Sequence, residues 1–257
     1  MIRRLDPAKR IASLFLLPQC DMSCRFCASE RDFSVMTYEQ ASALLHDLAA
    51  LSIRNVVLGG GEPFLWPHDL ERLSRLARGL GFLVQVCTNG VSLPPGFGGI
   101  DSIDRYLLPL ESMDAGRHDA LRRHRGGHQR LVLERIAALA GSGRELTVST
   151  VVTRENVDDL ARIATYLQRA AASGVALHAW HLYRFLPVGR GGSLHADRLD
   201  VRRAEYLRAC AAIRTRDLGF RVYRRDDMLR SGSVEFFWYE RGRMRTGSEA
   251  LSPAGPA

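Results

Sequence analysis

The chain of 257 residues has no apolar run approaching the roughly eighteen that a membrane-spanning helix needs. Its opening, Met1-Ile-Arg-Arg-Leu-Asp-Pro, lacks both a long apolar segment and a cleavage site, so neither export nor membrane spanning is expected. Lysine is nearly missing: Lys9 is the only one, and arginine supplies the rest of the 36 Lys+Arg that outweigh 28 Asp+Glu for a formal charge of +8. The arginines form no basic tract with interleaved aromatics, which argues against a nucleic-acid groove and for solvated faces. Arginine would equally suit an anionic small substrate. A disulfide framework is also lacking, because five cysteines, an odd count, in an unexported chain do not read as one. Hydrophobic content of 46% and charged content of 25% exclude wholesale disorder.

What is present is an alternation. Short apolar runs at 11–17, 55–58, 82–87, 105–110, 146–152 and 177–183 read as strands. Between them, 38–51, 69–79, 128–140 and 157–172 carry apolar residues at helical spacing, with Thr37 and Gln40 placed as a capping box. Strand–helix units in succession call for a parallel sheet with right-handed crossovers. Six units fall short of a closed eightfold ring, so the expected fold is α/β, a partial (β/α)6 TIM-like barrel over residues 1–192 with a short C-terminal extension. In that extension, 193–241, a helix at 201–214 and strand-like runs at 220–224 and 234–239 are expected to cover the barrel, and 242–257 to be disordered.

The cysteines carry the chemistry. Cys20, Cys24 and Cys27 have the spacing C-x3-C-x2-C directly after the first strand, close enough to converge on one metal centre. Structural zinc wants four protein ligands, and a distant histidine could be the fourth. An iron–sulfur cubane on three cysteines instead leaves one iron open to a substrate or cofactor. On residues alone both stay open.

With Phe26 before its last cysteine, the triplet resembles the signature of the radical S-adenosylmethionine (SAM) enzymes, and the likeness runs from about Leu14 to Gly192. The resemblance implies a [4Fe–4S] cluster on Cys20, Cys24 and Cys27, SAM on the fourth iron, and Phe26 beside the adenine. Gly59-Gly60-Gly61-Glu62-Pro63 resembles the family's Gly-Gly-Glu-Pro, where Gly60, Gly61 and Pro63 would shape the backbone near SAM and Glu62 would bind its ammonium group. Asn89 lies in a Thr-Asn-Gly turn of the family type, and Ser149 and Arg190 are candidates for the SAM ribose and carboxylate. The stretch from Leu110 to Arg122 matches a further family segment but carries Pro109 and Glu111 where serine and aspartate are usual; Glu111 is therefore a candidate substrate contact. All these motifs fall at the carboxyl ends of strands, where barrel-like folds gather their chemistry.

The resemblance implies an external one-electron reductant of flavodoxin or ferredoxin type, an oxygen-sensitive cluster and a cytoplasmic setting. Beyond Gly192 only Cys210 remains, so no auxiliary cluster is expected and a redox-neutral or reductively quenched outcome (epimerisation, dehydration or rearrangement) is favoured over net oxidation. A small-molecule or peptide substrate of a biosynthetic pathway fits most broadly. A viperin-like nucleotide dehydratase, a glycyl-radical enzyme activase and, outside this chemistry, a zinc- or nucleic-acid-binding module are the alternatives. Cys87, at a strand end, is either a small buried hydrophobe or a hydrogen donor to a substrate radical, and Cys210 reads as structural. Alternation in the sixth strand puts His181 and Tyr183 on one face, as candidate lumen residues, and Trp180 and Arg184 on the other.

Overall fold

The computed structural model describes residues 8–29, 32–51, 53–124, 126–228 and 230–247. Six strands, β1 (Ile11–Phe15), β2 (Asn55–Gly59), β3 (Leu83–Cys87), β4 (Arg105–Pro109), β5 (Glu145–Val152) and β6 (Ala176–Arg184), pair in parallel in sequence order. The connecting helices are α1 (Tyr38–Ala49), α2 (Leu70–Gly79), α3 (Ala115–Arg122), α4 (His128–Ala137) and α5 (Leu160–Ala172). The longer ones present an apolar stripe to the sheet: α1 buries Ala41, Leu44, Leu45 and Leu48, and α5 buries Leu160, Ile163, Ala164 and Leu167. Thr37 and Gln40 do form the capping box that starts α1. The short α3 was not expected. Only His118 and Leu121 of its residues are buried, so it shows almost no apolar period, and it starts because Asp114 accepts the Arg117 backbone N–H at 2.7 Å.

The strands bury both faces. Leu14, Val56, Leu58, Val84, Val86, Leu108 and Leu146 point outward into the layer under the helices, where the main core lies. The alternate residues face inward and line a cavity of about 610 Å³.

After β6 come two single helical turns, α6 (Gly189–Gly192) and α7 (Ala196–Leu199), then helix α8 (Arg203–Arg214). The two runs after α8 continue the sheet instead of covering it. β7 (Arg221–Arg225) pairs in parallel with β6, and β8 (Val234–Glu240) crosses to the opposite end and pairs in parallel with β1. Lys9 helps to seat β8, donating to the Ser231 and Val234 carbonyls at 2.6 and 2.8 Å. A final strand, β9 (Arg243–Thr246), hydrogen-bonds antiparallel to β8 where disorder was expected from Gly242 on; 248–257 lie outside the described residues. The sheet is not closed, since β7 and β9 are its two edges. Among the described residues no helix is long and apolar enough to cross a membrane.

Candidate active site

The three cysteines sit on the loop that follows β1, and glycines clamp that loop from two sides. On one side, the Gly61 N–H reaches the Leu17 carbonyl at 2.6 Å and the Glu62 N–H reaches the Gln19 carbonyl at 2.8 Å. A Cβ on Gly61 would stand 1.8 Å from the Gln19 oxygen, and one on Gly60, whose φ is +127°, would stand 2.6 Å from the Leu17 oxygen. These glycines are therefore required by close approach to the cysteine loop itself. On the other side, the Gly191 and Gly192 N–H groups bond the Cys27 carbonyl at 3.0 and 3.2 Å, and a Cβ on Gly191 would meet the Cys24 carbonyl oxygen at 2.3 Å. Arg25 fastens the loop to Glu155 with two bonds of 2.8 and 3.1 Å.

Each cysteine sulfur faces a different N–H donor. Asn89 Nδ2 lies 3.7 Å from Cys20 Sγ, an Arg122 guanidinium nitrogen 3.6 Å from Cys24 Sγ, and Arg190 Nε 3.3 Å from Cys27 Sγ. Three thiolates met by three donors, two of them cationic, suit an anionic iron–sulfur cluster. Burial pushes the Cys24 thiol up to about 11 in the metal-free chain, so cluster assembly has to displace its proton. Among the described residues, the one trio of metal-ligating types whose donor atoms lie within 4.8 Å of one another is His118, Asp119 and His128. The cysteine sulfurs are not all within that distance of one another, which suits a cubane better than a single zinc ion.

That histidine pair has another occupation. The Glu111 backbone N–H donates to His118 Nδ1 at 3.1 Å, His118 Nε2 lies 2.8 Å from His128 Nδ1, and His128 Nε2 lies 2.9 Å from the Asn89 carbonyl. With a donor at one end and an acceptor at the other, only two neutral rings, each protonated on Nε2, satisfy all three bonds. Burial enforces neutrality, pulling His118 down to about 2 and His128 to about 4. The chain thus ties the end of β4 to the Asn89 turn after β3.

Two of the candidate carboxylates are also bonded within the protein. Glu62 is fully buried; its carboxylate accepts from Thr88 Oγ1 (2.7 Å), Asn89 N (2.8 Å) and Phe64 N (3.2 Å). It stitches the end of β2 to that of β3, and its neighbour Pro63 is buried as the first residue of a 3-10 turn. Burial raises Glu62 to about 7 against the lowering effect of these bonds. Glu111 is fully buried as well, paired with Arg122 and accepting the Val151 N–H at 2.8 Å, so it braces the site. Arg122, the last residue of the family-like stretch that begins at Leu110, is the partner. Its guanidinium spans Glu111, Cys24 and the face of Phe26, 5.0 Å from the ring centroid. The one signal available was its place at the end of the His118-Asp119-Ala120-Leu121-Arg122 stretch.

The remaining candidates converge. A cavity of about 140 Å³ is bounded by the three cysteines with Phe26, Gly60, Gly61, Asn89, Ser149 and Arg190, and also by Cys87 and Arg122. Below it opens the lumen of about 610 Å³, where His181 and Tyr183 project as the alternation of β6 requires, while Trp180 is buried on the outer side and donates to Thr150 Oγ1 at 2.9 Å. A register shift between β5 and β6 at Leu146/Thr147 brings His178 into the same lumen, three residues from His181. Cys87, Gly60 and Leu107 line both spaces.

Known proteins agree with this geometry. Residues 14–167 match the family model of the Radical SAM superfamily. The chain is 25% identical over 199 residues to the AdoMet-dependent heme synthase of Oleidesulfovibrio alaskensis, covering 74% of this chain and 49% of that protein. It is 29% identical over 187 residues to the mycofactocin maturase MftC of Mycobacterium tuberculosis, covering 69% and 45%. It therefore spans about half the length of the curated relatives it matches. Among solved structures, Streptococcus suis SuiB bound to SAM superposes with a TM-score of 0.70 at 15% identity, covering 86% of this chain and 51% of that one. SuiB bound to its precursor peptide SuiA gives 0.69 at 14%, covering 84% and 49%. The family uses a [4Fe–4S] cluster and SAM, and the cysteine loop and small cavity have the donors and lining to hold them. The chain belongs to the radical SAM superfamily and is an enzyme of that family.

Proposed function

We propose that this enzyme removes a hydrogen atom from a peptide held in the lumen and returns one from Cys87, a redox-neutral change such as epimerisation. The observation that carries this reading is the position of Cys87, which lines both the small cavity and the lumen. Relatives named as a maturase and a structure titled with a precursor peptide support a peptide substrate. When bound, the cluster and SAM supply a 5′-deoxyadenosyl radical that breaks an unactivated C–H bond and carries the hydrogen away in 5′-deoxyadenosine.

The chain's own residues set the stage for this. Gly60, Gly61, Asn89 and Ser149 form the wall against which SAM would lie, and Arg122 and Arg190 face the sulfurs of the cluster ligands. Burial raises the Cys87 thiol to about 12, so it stays as S–H. A substrate carbon short of one hydrogen takes it from that thiol: the S–H bond breaks, a C–H bond forms, and the unpaired electron passes to sulfur. One electron from an external donor of flavodoxin or ferredoxin type, with one proton, restores the thiol. An oxygen-labile cluster and a soluble electron donor fit a cytoplasmic setting.

The test is anaerobic turnover with SAM and dithionite in D2O. The unaltered chain forms 5′-deoxyadenosine, whereas Cys24→Ala forms neither cluster colour nor 5′-deoxyadenosine. Cys87→Ser keeps both but no longer delivers solvent deuterium into a peptide product. Undiminished deuterium uptake in Cys87→Ser removes the role of Cys87, and no 5′-deoxyadenosine from the unaltered chain removes the radical reading.

A further inference from the structure

The lumen has two unlike walls. Phe15, Val57, Val234 and Phe236, from β1, β2 and β8, make one wall mainly apolar, with the uncharged Ser13 and Asn55 beside them. The opposite wall, from β4, β6 and β7, presents Arg105, His178, His181 and Arg225, and no aspartate or glutamate lines the cavity among the described residues.

Three of these four nitrogen bases are already accounted for. Arg105 donates from Nε to Glu145 at 2.9 Å and forms an ion pair with it. His181 is neutral, pulled down to about 3 by burial, and its Nδ1 lies 3.1 Å from the Tyr183 hydroxyl. His178 stands 3.8 Å from Glu145 and is also lowered by burial. Arg225 differs. Its guanidinium lies 5.1 Å from the Tyr223 ring centroid, it forms no ion pair among the described residues, and its Nε is buried with no hydrogen-bond partner.

A guanidinium stays charged at any ordinary pH. A sequestered donor on it that lacks an acceptor is costly, and one from outside the chain would relieve that cost. One uncompensated positive charge on a planar fork matches one carboxylate, held by two parallel hydrogen bonds; a phosphate dianion would leave negative charge unbalanced. Arg225 is in register with Tyr183, which shares the lumen with Cys87. We propose that Arg225 anchors the carboxylate of an amphipathic substrate residue whose apolar body lies against Phe15 and Phe236, in the same lumen as Cys87. This rests on the radical reading of the site and names the substrate class that the lumen selects.

A chain-terminal carboxylate and an acidic side chain share this chemistry, and three probes separate them. The anaerobically reconstituted full chain, with SAM present, is titrated calorimetrically with N-acetylphenylalanine, N-acetylphenylalanine amide and the α-amide of N-acetylglutamic acid. At least one of the two acids is expected to bind tenfold or more tightly than the neutral amide. Whichever acid binds better identifies the source. Arg225→Gln is expected to weaken that acid by about ten- to hundredfold, the range of a hydrogen bond to a charged group, and to leave the neutral amide unchanged. Equal binding of acid and amide, no binding of either acid, or an Arg225→Gln chain with undiminished acid affinity would overturn the proposal. If Arg225→Gln fails to fold by circular dichroism, the acid-against-amide contrast on the unaltered chain decides alone. No SAM cleavage is read, so failure here leaves the radical reading standing on its own test.

Discussion

Residues that lie far apart in the sequence decide whether the cysteine loop is held in place, and Arg122 is the clearest of them. Among the described residues it is the cation paired with the fully buried Glu111, and it also touches Cys24 and Phe26. Arg122→Gln strands that carboxylate, and breaking a buried pair from one side typically costs about 3–5 kcal/mol. Urea denaturation is expected to show a loss of that size, whereas a variant as stable as the parent would mean that Glu111 is paired elsewhere. Acid acts through the imidazoles. His118, His128 and His181 are neutral when folded, held down to about 2, 4 and 3 chiefly by burial, and regain an ordinary value of 6.5 on unfolding. Unfolding therefore takes up protons below pH 6.5: the stability they contribute is complete above that pH and is lost as pH falls towards about 4. Glu62 and Glu111, raised by burial, work in the opposite direction but are outnumbered. Near pH 5, where the unfolded histidines are almost fully protonated, the excess is about one proton, which corresponds to about 1.4 kcal/mol per pH unit. Melting temperature is expected to drop from pH 6.5 to pH 5, and a flat profile would show that the histidines are not held neutral.

At the scale of elements, the loop after β1 owes its course to glycines on two other segments. Gly61→Ala places a methyl group 1.8 Å from the Gln19 oxygen, which only backbone movement can relieve. Reconstituted Gly61→Ala is expected to lose most iron–sulfur absorbance while far-UV circular dichroism stays native. Gly232→Ala, with nothing within 4 Å, should keep both. Unchanged absorbance in Gly61→Ala would show that the clamp is dispensable. Sequence reading reached the cysteine triplet, the glycine motif and the six strands because each is written locally, as a spacing or a period. The second role of Gly60 and Gly61 is not legible there, since nothing in a linear pattern says that residues 17 to 19 come back against them. The helix α3 escaped because it buries only two residues, and the His118–His128 pair because its meaning depends on two loops meeting Asn89. His181 and Tyr183 line the lumen because the helices cover the other face of β6, where Trp180 and Leu182 join the core.

Considered as a whole, the molecule is a parallel sheet that both ends of its extension prolong. β7 carries Arg225 into the lumen and β8 supplies Phe236, so the C-terminal segment builds part of the lumen wall. Phe236 packs edge-on to Phe15 with centroids 5.8 Å apart, in a cluster with Phe33 and Trp238. Phe236→Ala is expected to cost about 3–5 kcal/mol in chemical denaturation while cluster colour survives, because the cysteine loop hangs from β1 and β2. Loss of colour together with stability would instead mean that β8 supports the loop.

The pairing of β1 also bears on how the chain is made. Ile11 to Leu14 stand against Asn55 to Leu58 on one side and Val234 to Phe237 on the other. On a ribosome adding about 5–20 residues each second, the second side of β1 stays without its partner until nearly the whole domain has emerged. For that interval it is an exposed, apolar strand edge of the kind that recruits other chains. The last parallel strand to be synthesised is thus the one that ends this exposure, and crowded or accelerated expression should favour aggregation before a single cluster has been loaded.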